Sequence, residues 1–370
     1  MHEIALRVAP ARRAPARATT RMQVAFVADA APPPLMRAFI YDFAAPSGMS
    51  FTAAHPRPTA ASLRAGELLV AVRAAALNPI DYKKPGLVPL ASYILARTPV
   101  GQDFAGVVLA SAAPGFAAGD AVFGTAEGAR GGCLAEALIA RAADCAPLPR
   151  ALSFAHGAAL VTAAMTSIQA LERGGARAGS RVLVIGASGG VGSVGVQVAR
   201  AVVGPAGGVA AVCGAAAAPL ARSLGADAVA DYGAAGDALA PLRALPRFDV
   251  VFDTVSSGER GDDLRGVPYA AAAAPLLAPG GRVVAINGTV AQWARALLCG
   301  ACCAPRAYTL FMQQPDGAAL ARAAAWAEAG ALRAVIDGEP HAFDAAGCEA
   351  AYARLRSRRA KGKVVVAVQQ

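Results

Sequence analysis

The segment Arg181–Gly192 constrains this chain more than any other. The apolar run Val182, Leu183, Val184 and Ile185 leads straight into Gly186, Ala187, Ser188, Gly189, Gly190, Val191 and Gly192, and the helical pattern from Gly192 continues to about Val203. A buried strand that enters such a turn and leaves as a helix needs glycine for the tight bend and for close packing of helix on strand. The helix N-terminus then offers free amides and the positive end of a dipole, which suits a phosphate group. The spacing is Ala187-x-Gly189-x-x-Gly192, with alanine in the first place and Gly190 as an additional glycine. Its strand-before, helix-after setting points to a dinucleotide, a methyltransferase-type loop or a plain glycine turn being the other readings.

The residues around this turn repeat the same grammar. Phe154–Arg173 reads as a helix, with Ser153 as N-cap and Gly174-Gly175 as its stop. After the turn come a strand at Val209–Cys213, a helix at Pro219–Leu224, and strands at Ala228–Asp231, Phe248–Phe252 and Arg282–Ile286. Strands alternating with helices predict an α/β fold with a doubly wound parallel sheet. An acid at the end of the second strand would bind the ribose hydroxyls of NAD and repel a 2′-phosphate. Cys213 is followed by Gly214, Ala215, Ala216 and Ala217, with no acid before Asp227, so NADPH is favoured over NADH; Arg222 is the candidate cation for the phosphate.

Ahead of Ser153 the texture is different. Strand-like runs at Met36–Asp42, Glu67–Ala76, Val107–Ala110 and Ala121–Phe123 are separated by turns such as Pro114-Gly115 and Gly119-Asp120. Short strands with frequent turn residues predict a β-rich domain, a small barrel. A helix at Ala318–Glu328 and an apolar, β-branched strand at Lys363–Val368 follow the parallel sheet, and the last strand is placed to return to the first domain.

Composition narrows the class. Hydrophobic residues make up 56% of 370, but much of this is alanine. The stretch that comes closest to a long apolar run, Tyr269–Ile286, is broken by Pro275, Pro279, Gly280, Gly281 and Arg282, so no transmembrane segment is expected. The net charge of +10 is spread along the chain, without a basic block interleaved with aromatics, which argues against nucleic acid. Residues 1–35 hold five arginines against two acids and end in Pro32-Pro33-Pro34. That is the composition of an import leader, plastid or mitochondrial, and also of an unstructured N-terminus. Seven cysteines in a chain this long read as reduced thiols. Cys299, Cys302 and Cys303 lack the second pair that a structural zinc requires, and no sequence neighbour of Cys133 lowers its pKa.

Several segments resemble the quinone oxidoreductase branch of the medium-chain dehydrogenase/reductase superfamily. They are Ala76–Lys83 with Asn78-Pro79-Ile80-Asp81-Tyr82, Gly101–Val108, Gly119–Gly124, the glycine turn, Ser223–Asp227 with Asp231-Tyr232, and Lys361–Val366. The likeness runs from Met36 to the C-terminus and is nearest to plastid-envelope homologues and related mitochondrial reductases. It implies a GroES-like catalytic barrel over 36–155, a Rossmann NADP-binding domain over 156–300, and a return to the catalytic part over 301–370. It also implies a homodimer, with Asn78, Thr166, Tyr232, Asn287 and Gly288 near the cofactor. Zinc-dependent members carry Gly-His-Glu where this chain has Gly101-Gln102-Asp103, so a catalytic zinc would lack its ligands and no metal is expected.

Reduction of a quinone or an α,β-unsaturated carbonyl then needs a nicotinamide held over the acceptor and a group to meet charge developing on oxygen. Asn78, Tyr82 and Lys83 are the candidates for the reactive end, with solvent as final proton source. For Tyr82 and Lys83 a place in the barrel wall or in solvent is the structural alternative. Asp81 and Asp103 read as hydrogen-bonded turn carboxylates, and Trp293–Leu298 with Tyr308–Met312 as a substrate wall or dimer edge. A 2-enoyl-thioester reductase of the same fold and a non-catalytic NADPH-binding protein are the competing readings.

Overall fold

The computed structural model describes residues 34–87, 96–126, 132–256, 262–289, 291–294 and 308–368. Residues 1–33 of the segment 1–35 expected as an import leader, Cys299, Cys302 and Cys303, and all of Trp293–Leu298 except Trp293 and Ala294 lie outside these residues.

The first part is antiparallel. A hairpin of β1 (Leu35–Tyr41) and β2 (Met49–Pro56) precedes β3 (Glu67–Ala76), α1 (Pro79–Leu87), β4 (Asp103–Ser111), β5 (Ala121–Thr125), β6 (Ala137–Arg141) and β7 (Cys145–Pro147). Strand β3 is the hub: it pairs antiparallel with β4 along its length and with β6 over its first half. Nine of its ten residues are buried, which is why it reads as a near-continuous apolar run. The strand expected at Val107–Ala110 is the middle of the longer β4, whose register is broken by two bulges against β3.

The second part is parallel. It comprises α2 (Phe154–Gly174), β8 (Arg181–Ile185), α3 (Gly190–Val203), β9 (Gly208–Cys213), α4 (Ala218–Ser223), β10 (Ala228–Asp231), α5 (Ala240–Arg243) and β11 (Phe248–Asp253). A small hairpin of β12 (Asp263–Leu264) and β13 (Val267–Pro268), then α6 (Tyr269–Ala273), leads to β14 (Leu277–Ala285) and β15 (Tyr308–Leu310). The sheet order is β10-β9-β8-β11-β14-β15, every pair parallel. Numbered from β8 this is 3-2-1-4-5-6, the doubly wound order in which the crevice opens where the winding reverses, beside β8. The helix expected from Gly192 begins at Gly190, with Gly189 as its cap. The strand expected at Arg282–Ile286 is the end of β14, whose start carries Pro279, Gly280 and Gly281 and so hid from a β-propensity reading.

The last segment adds α7 (Gly317–Glu328), β16 (His341–Ala342), α8 (Ala345–Arg356) and β17 (Val365–Ala367). Strand β17 pairs antiparallel with β3, so the C-terminal strand returns to the first sheet and completes seven strands.

Helix α2 joins the two sheets. Ser153 caps it by accepting from the His156 amide, and Gly175, in the left-handed conformation, ends it. One hydrophobic core contains Ala74, Ala105 and Phe123 of the antiparallel sheet, Ala159, Ala163 and Met165 of α2, and Val182, Val250 and Phe252 of the parallel sheet. The alanines therefore have a structural use, because small side chains let this helix lie close to strands on both sides. Helix α2 is long and apolar enough to cross a membrane, yet 72% of its most apolar window is buried inside the protein.

Candidate functional site

The glycine turn is built by exclusion. Gly186 has a φ of +81°, which favours glycine, and its carbonyl receives the Gly189 amide at 3.0 Å. A Cβ on Gly192 would stand 2.1 Å from that same carbonyl oxygen, so helix and strand reach this distance only with glycine there. Gly189 differs: a Cβ would meet only the Gly186 oxygen, at 3.5 Å, which leaves the outer face of the turn open. No side chain caps the N-terminus of α3. A helix N-terminus without a side-chain cap suits an anion, and the residues present fit the pyrophosphate of a dinucleotide.

At the end of β9 the structure brings Gly214 and Tyr232 together. A Cβ on Gly214 would lie 3.2 Å from the Tyr232 hydroxyl, and half of the tyrosine is exposed beside it. The absence of an acid after Cys213 holds along the chain but not in space. Parallel pairing sets Asp231 opposite Cys213, and its Oδ1 accepts from the Ala215 amide at 3.1 Å and the Gly233 amide at 2.9 Å. Arg222 is exposed on α4, and its charge partly offsets the burial and the Asp231 charge that raise the Cys213 thiol pKa. Across the switch point, Asn287 Nδ2 donates to the Thr254 carbonyl at 3.3 Å, and Gly288 packs against Leu310. Thr166 is buried within α2.

The third group is a buried polar network. Asp103, at the start of β4, has no exposed surface. Its Oδ1 accepts from Thr162 Oγ1 at 2.5 Å, and its Oδ2 from the Thr162 amide at 3.2 Å, Asn78 Nδ2 at 2.9 Å and Lys363 Nζ at 3.1 Å. Lys363 Nζ also donates to Asn78 Oδ1 at 2.6 Å. Asn78 is one of the residues expected at the reactive end, whereas Lys363, within the Lys361–Val366 segment that carries the family likeness, is not among them. Tyr82 and Lys83 do not join this network. The Tyr82 ring packs on the antiparallel-sheet core with the Arg356 guanidinium 5.4 Å from its centroid, and Lys83 is half-buried.

Asp81 has only part of its carboxylate satisfied. Oδ2 accepts from the Asn78 amide at 2.8 Å and from the Tyr352 hydroxyl at 3.4 Å, but Oδ1, fully buried, has no partner among the described residues. Burial, reinforced by the Asp103 charge, pushes its pKa up to about 7. Cys133 donates to the Asp103 carbonyl at 3.2 Å, and burial first, then the two aspartates, raise its pKa, which makes it an inert thiol.

Two predictions come from this geometry. Gly189→Ala should fold as the wild type but bind a pyridine nucleotide at least about tenfold more weakly, since the methyl would stand on the open face of the turn. Gly192→Ala should lower the melting temperature as well. Fluorescence titration with NADPH alongside thermal unfolding checks both, and undiminished affinity of a folded Gly189→Ala protein would place the phosphates elsewhere. For Asp81, the folded pKa of about 7 lies above the roughly 3.9 of an unfolded aspartate, so the native state holds its proton longer. Stability should therefore fall as pH rises between these values, and urea midpoints of Asp81→Asn should decline less over that window. Parallel pH profiles for the two proteins would show that Asp81 does not titrate there.

Residues 64–150 match the model of the alcohol dehydrogenase GroES-like domain, and residues 224–366 match that of a zinc-binding dehydrogenase. A chloroplastic quinone-oxidoreductase homolog of Spinacia oleracea is 40% identical over 179 residues, 46% of this chain and 53% of that protein. The chain thus spans about half the length of that relative. A trans-enoyl reductase of Aspergillus terreus is 31% identical over 332 residues, 85% of this chain and 90% of its own. The quinone oxidoreductase of Thermus thermophilus, solved also in complex with NADPH, superposes with a TM-score of 0.64 at 28% identity, covering 90% of this chain and all of that one. With both family models matching and the trans-enoyl reductase alignable over most of both chains, the GroES-like antiparallel sheet and the Rossmann sheet described above identify the chain as a member of the medium-chain dehydrogenase/reductase superfamily.

Proposed function

We propose that the chain is an NADPH-dependent reductase that delivers hydride, without a metal, to a quinone or an α,β-unsaturated carbonyl. The observation that carries this reading is the Asn78–Asp103–Lys363–Thr162 network set against the glycine turn. When bound, the nicotinamide supplies the hydride. The protein's own residues hold the nucleotide at the amides of α3 and keep a donor, Asn78, oriented beside a fixed positive charge. Charge developing on a carbonyl oxygen is stabilised by such preorganised donors in a site shielded from water. A divalent ion at Asn78 would face the Lys363 ammonium at 2.6 Å from the same oxygen, and the residue preceding Asp103 is Gln102 rather than a histidine. Among the described residues no group of three or more His, Cys, Asp or Glu is placed to hold a metal.

NADPH is preferred because Gly214–Ala217 carry no acid of their own, Asp231 is engaged by two backbone amides, and Tyr232 and Arg222 stand exposed nearby. The whole-length likeness to a trans-enoyl reductase supports a second reading, in which the acceptor is an enoyl thioester. Oxidation of NADPH, with NADH in parallel, should be followed by the loss of reduced-nicotinamide absorbance with small quinones, a short and a long enone, and crotonyl-CoA. Turnover with quinone or enone that a chelator leaves unchanged is the expected result. Turnover confined to crotonyl-CoA would select the thioester reading, and NADPH binding without turnover would mark a sensor or assembly protein.

The arginine-rich leader and the chloroplastic relative support import into an organelle. A fluorescent reporter carrying residues 1–35 should enter plastids or mitochondria, and a purely cytosolic signal would rule this leader out.

A further inference from the structure

Lys363 touches both halves of the site. Its side chain is 5% exposed and its ammonium lies between Asn78 and Asp103. Its stem lies on the glycine turn, where a Cβ on Gly190 would stand 2.7 Å from Lys363 Cδ. The backbone on either side makes the same connection. The Gly362 amide donates to the Ser188 carbonyl at 2.8 Å, and the Val364 carbonyl accepts from the Leu77 amide, next to Asn78, at 2.9 Å. Three consecutive residues therefore span from the phosphate-binding turn to the candidate reactive end.

The chemistry of the partners fixes Asn78 as well. An ammonium only donates and a carboxylate only accepts, so the amide oxygen of Asn78 must face Lys363 and its nitrogen must face Asp103. The reversed amide would set like against like on both sides. Of the two hydrogens on Nδ2, one goes to Asp103 and the other has no acceptor among the described residues. Without the ammonium, one of the two restraints on the amide is gone.

We propose that Lys363 is a positioning residue: it locks the Asn78 carboxamide in the orientation that leaves one N–H for the acceptor oxygen, and it links that orientation to nucleotide bound at the glycine turn. This deepens the reductase reading and rests on it for the role of Asn78. Lys363 acts through Asn78, to which its ammonium donates, and not as a catalytic residue itself.

The test combines single-turnover kinetics with hydrogen exchange on the full chain. Lys363→Met keeps a stem over Gly190 and removes the charge. It should slow hydride transfer from NADPH to the quinone or enone by about tenfold or more while the NADPH dissociation constant changes by less than about threefold. In an Asn78→Ala background the same substitution should add little, because the residue it acts through is gone. Rate losses that multiply in the double variant, or a wild-type rate in Lys363→Met, would overturn the proposal. If Lys363→Met does not fold, Asp103→Asn/Lys363→Met removes both buried charges together and enters the same cycle. Hydrogen exchange gives a readout that needs no turnover. NADPH should slow exchange at residues 77–84 in the wild type and not in Lys363→Met, while slowing residues 186–192 in both. Equal protection of 77–84 in the two proteins, or none in the wild type, would overturn the linkage. A wild type inert towards every acceptor would refute the reductase reading, and the exchange result alone would then decide the role of Lys363.

Discussion

A buried carboxylate holds this structure at its most consequential point. Asp103 begins β4 of the antiparallel sheet, takes two hydrogen bonds from Thr162 on the helix shared by both sheets, and meets the ammonium of Lys363 just ahead of the closing strand. An ionised group with no access to water is tolerated only when its lone pairs are filled and its charge is matched, and here both conditions are met. Loss of either charge would leave the other buried and uncompensated, at a cost of about 3–5 kcal/mol. The same three residues tie β4, α2 and the C-terminal segment together, and Asn78 is held by two of them, Asp103 and Lys363.

The glycine turn supplies the complementary constraint. Its geometry is set by contacts that permit no side chain, Gly192 against the Gly186 carbonyl above all. Because the backbone itself fills that space, the start of α3 is held close against the end of β8. Lys363 lies across this turn. The rigid anion site and the buried ion pair are thus parts of one packed unit, in which a single lysine stem serves as wall for one and its ammonium as partner for the other.

Around this unit the described thiols and phenols are chemically quiet. Cys133 and Cys145 are buried thiols whose pKa values burial raises, and Tyr41 and Tyr352 are likewise pushed up, so none offers a nucleophile or acid at neutral pH. Asp81 is the exception, a carboxyl at about 7 with one oxygen left unpaired. Its backbone carbonyl accepts from Tyr41 and its side chain caps the turn into α1, so its ionisation bears on the helix that carries Tyr82 and Lys83.

The sequence by itself determined the parallel sheet, the glycine turn and the capped helix α2, because each depends on local sterics: glycines where a Cβ has no room, an N-cap serine, apolar runs of strand length. It also placed the last strand as one free to return. It could not find α8, whose buried Cys348, Ala351 and Tyr352 sit in an alanine-rich stretch without a clear apolar period. Nor could it bring Lys363 to Asn78, 285 residues away, or Asp231 to the Ala215 amide. Those meetings were decided by the tertiary structure, through which strands pair and in what register. Pairing is a contest among distant segments for burial, and the pattern along any one segment does not record its outcome.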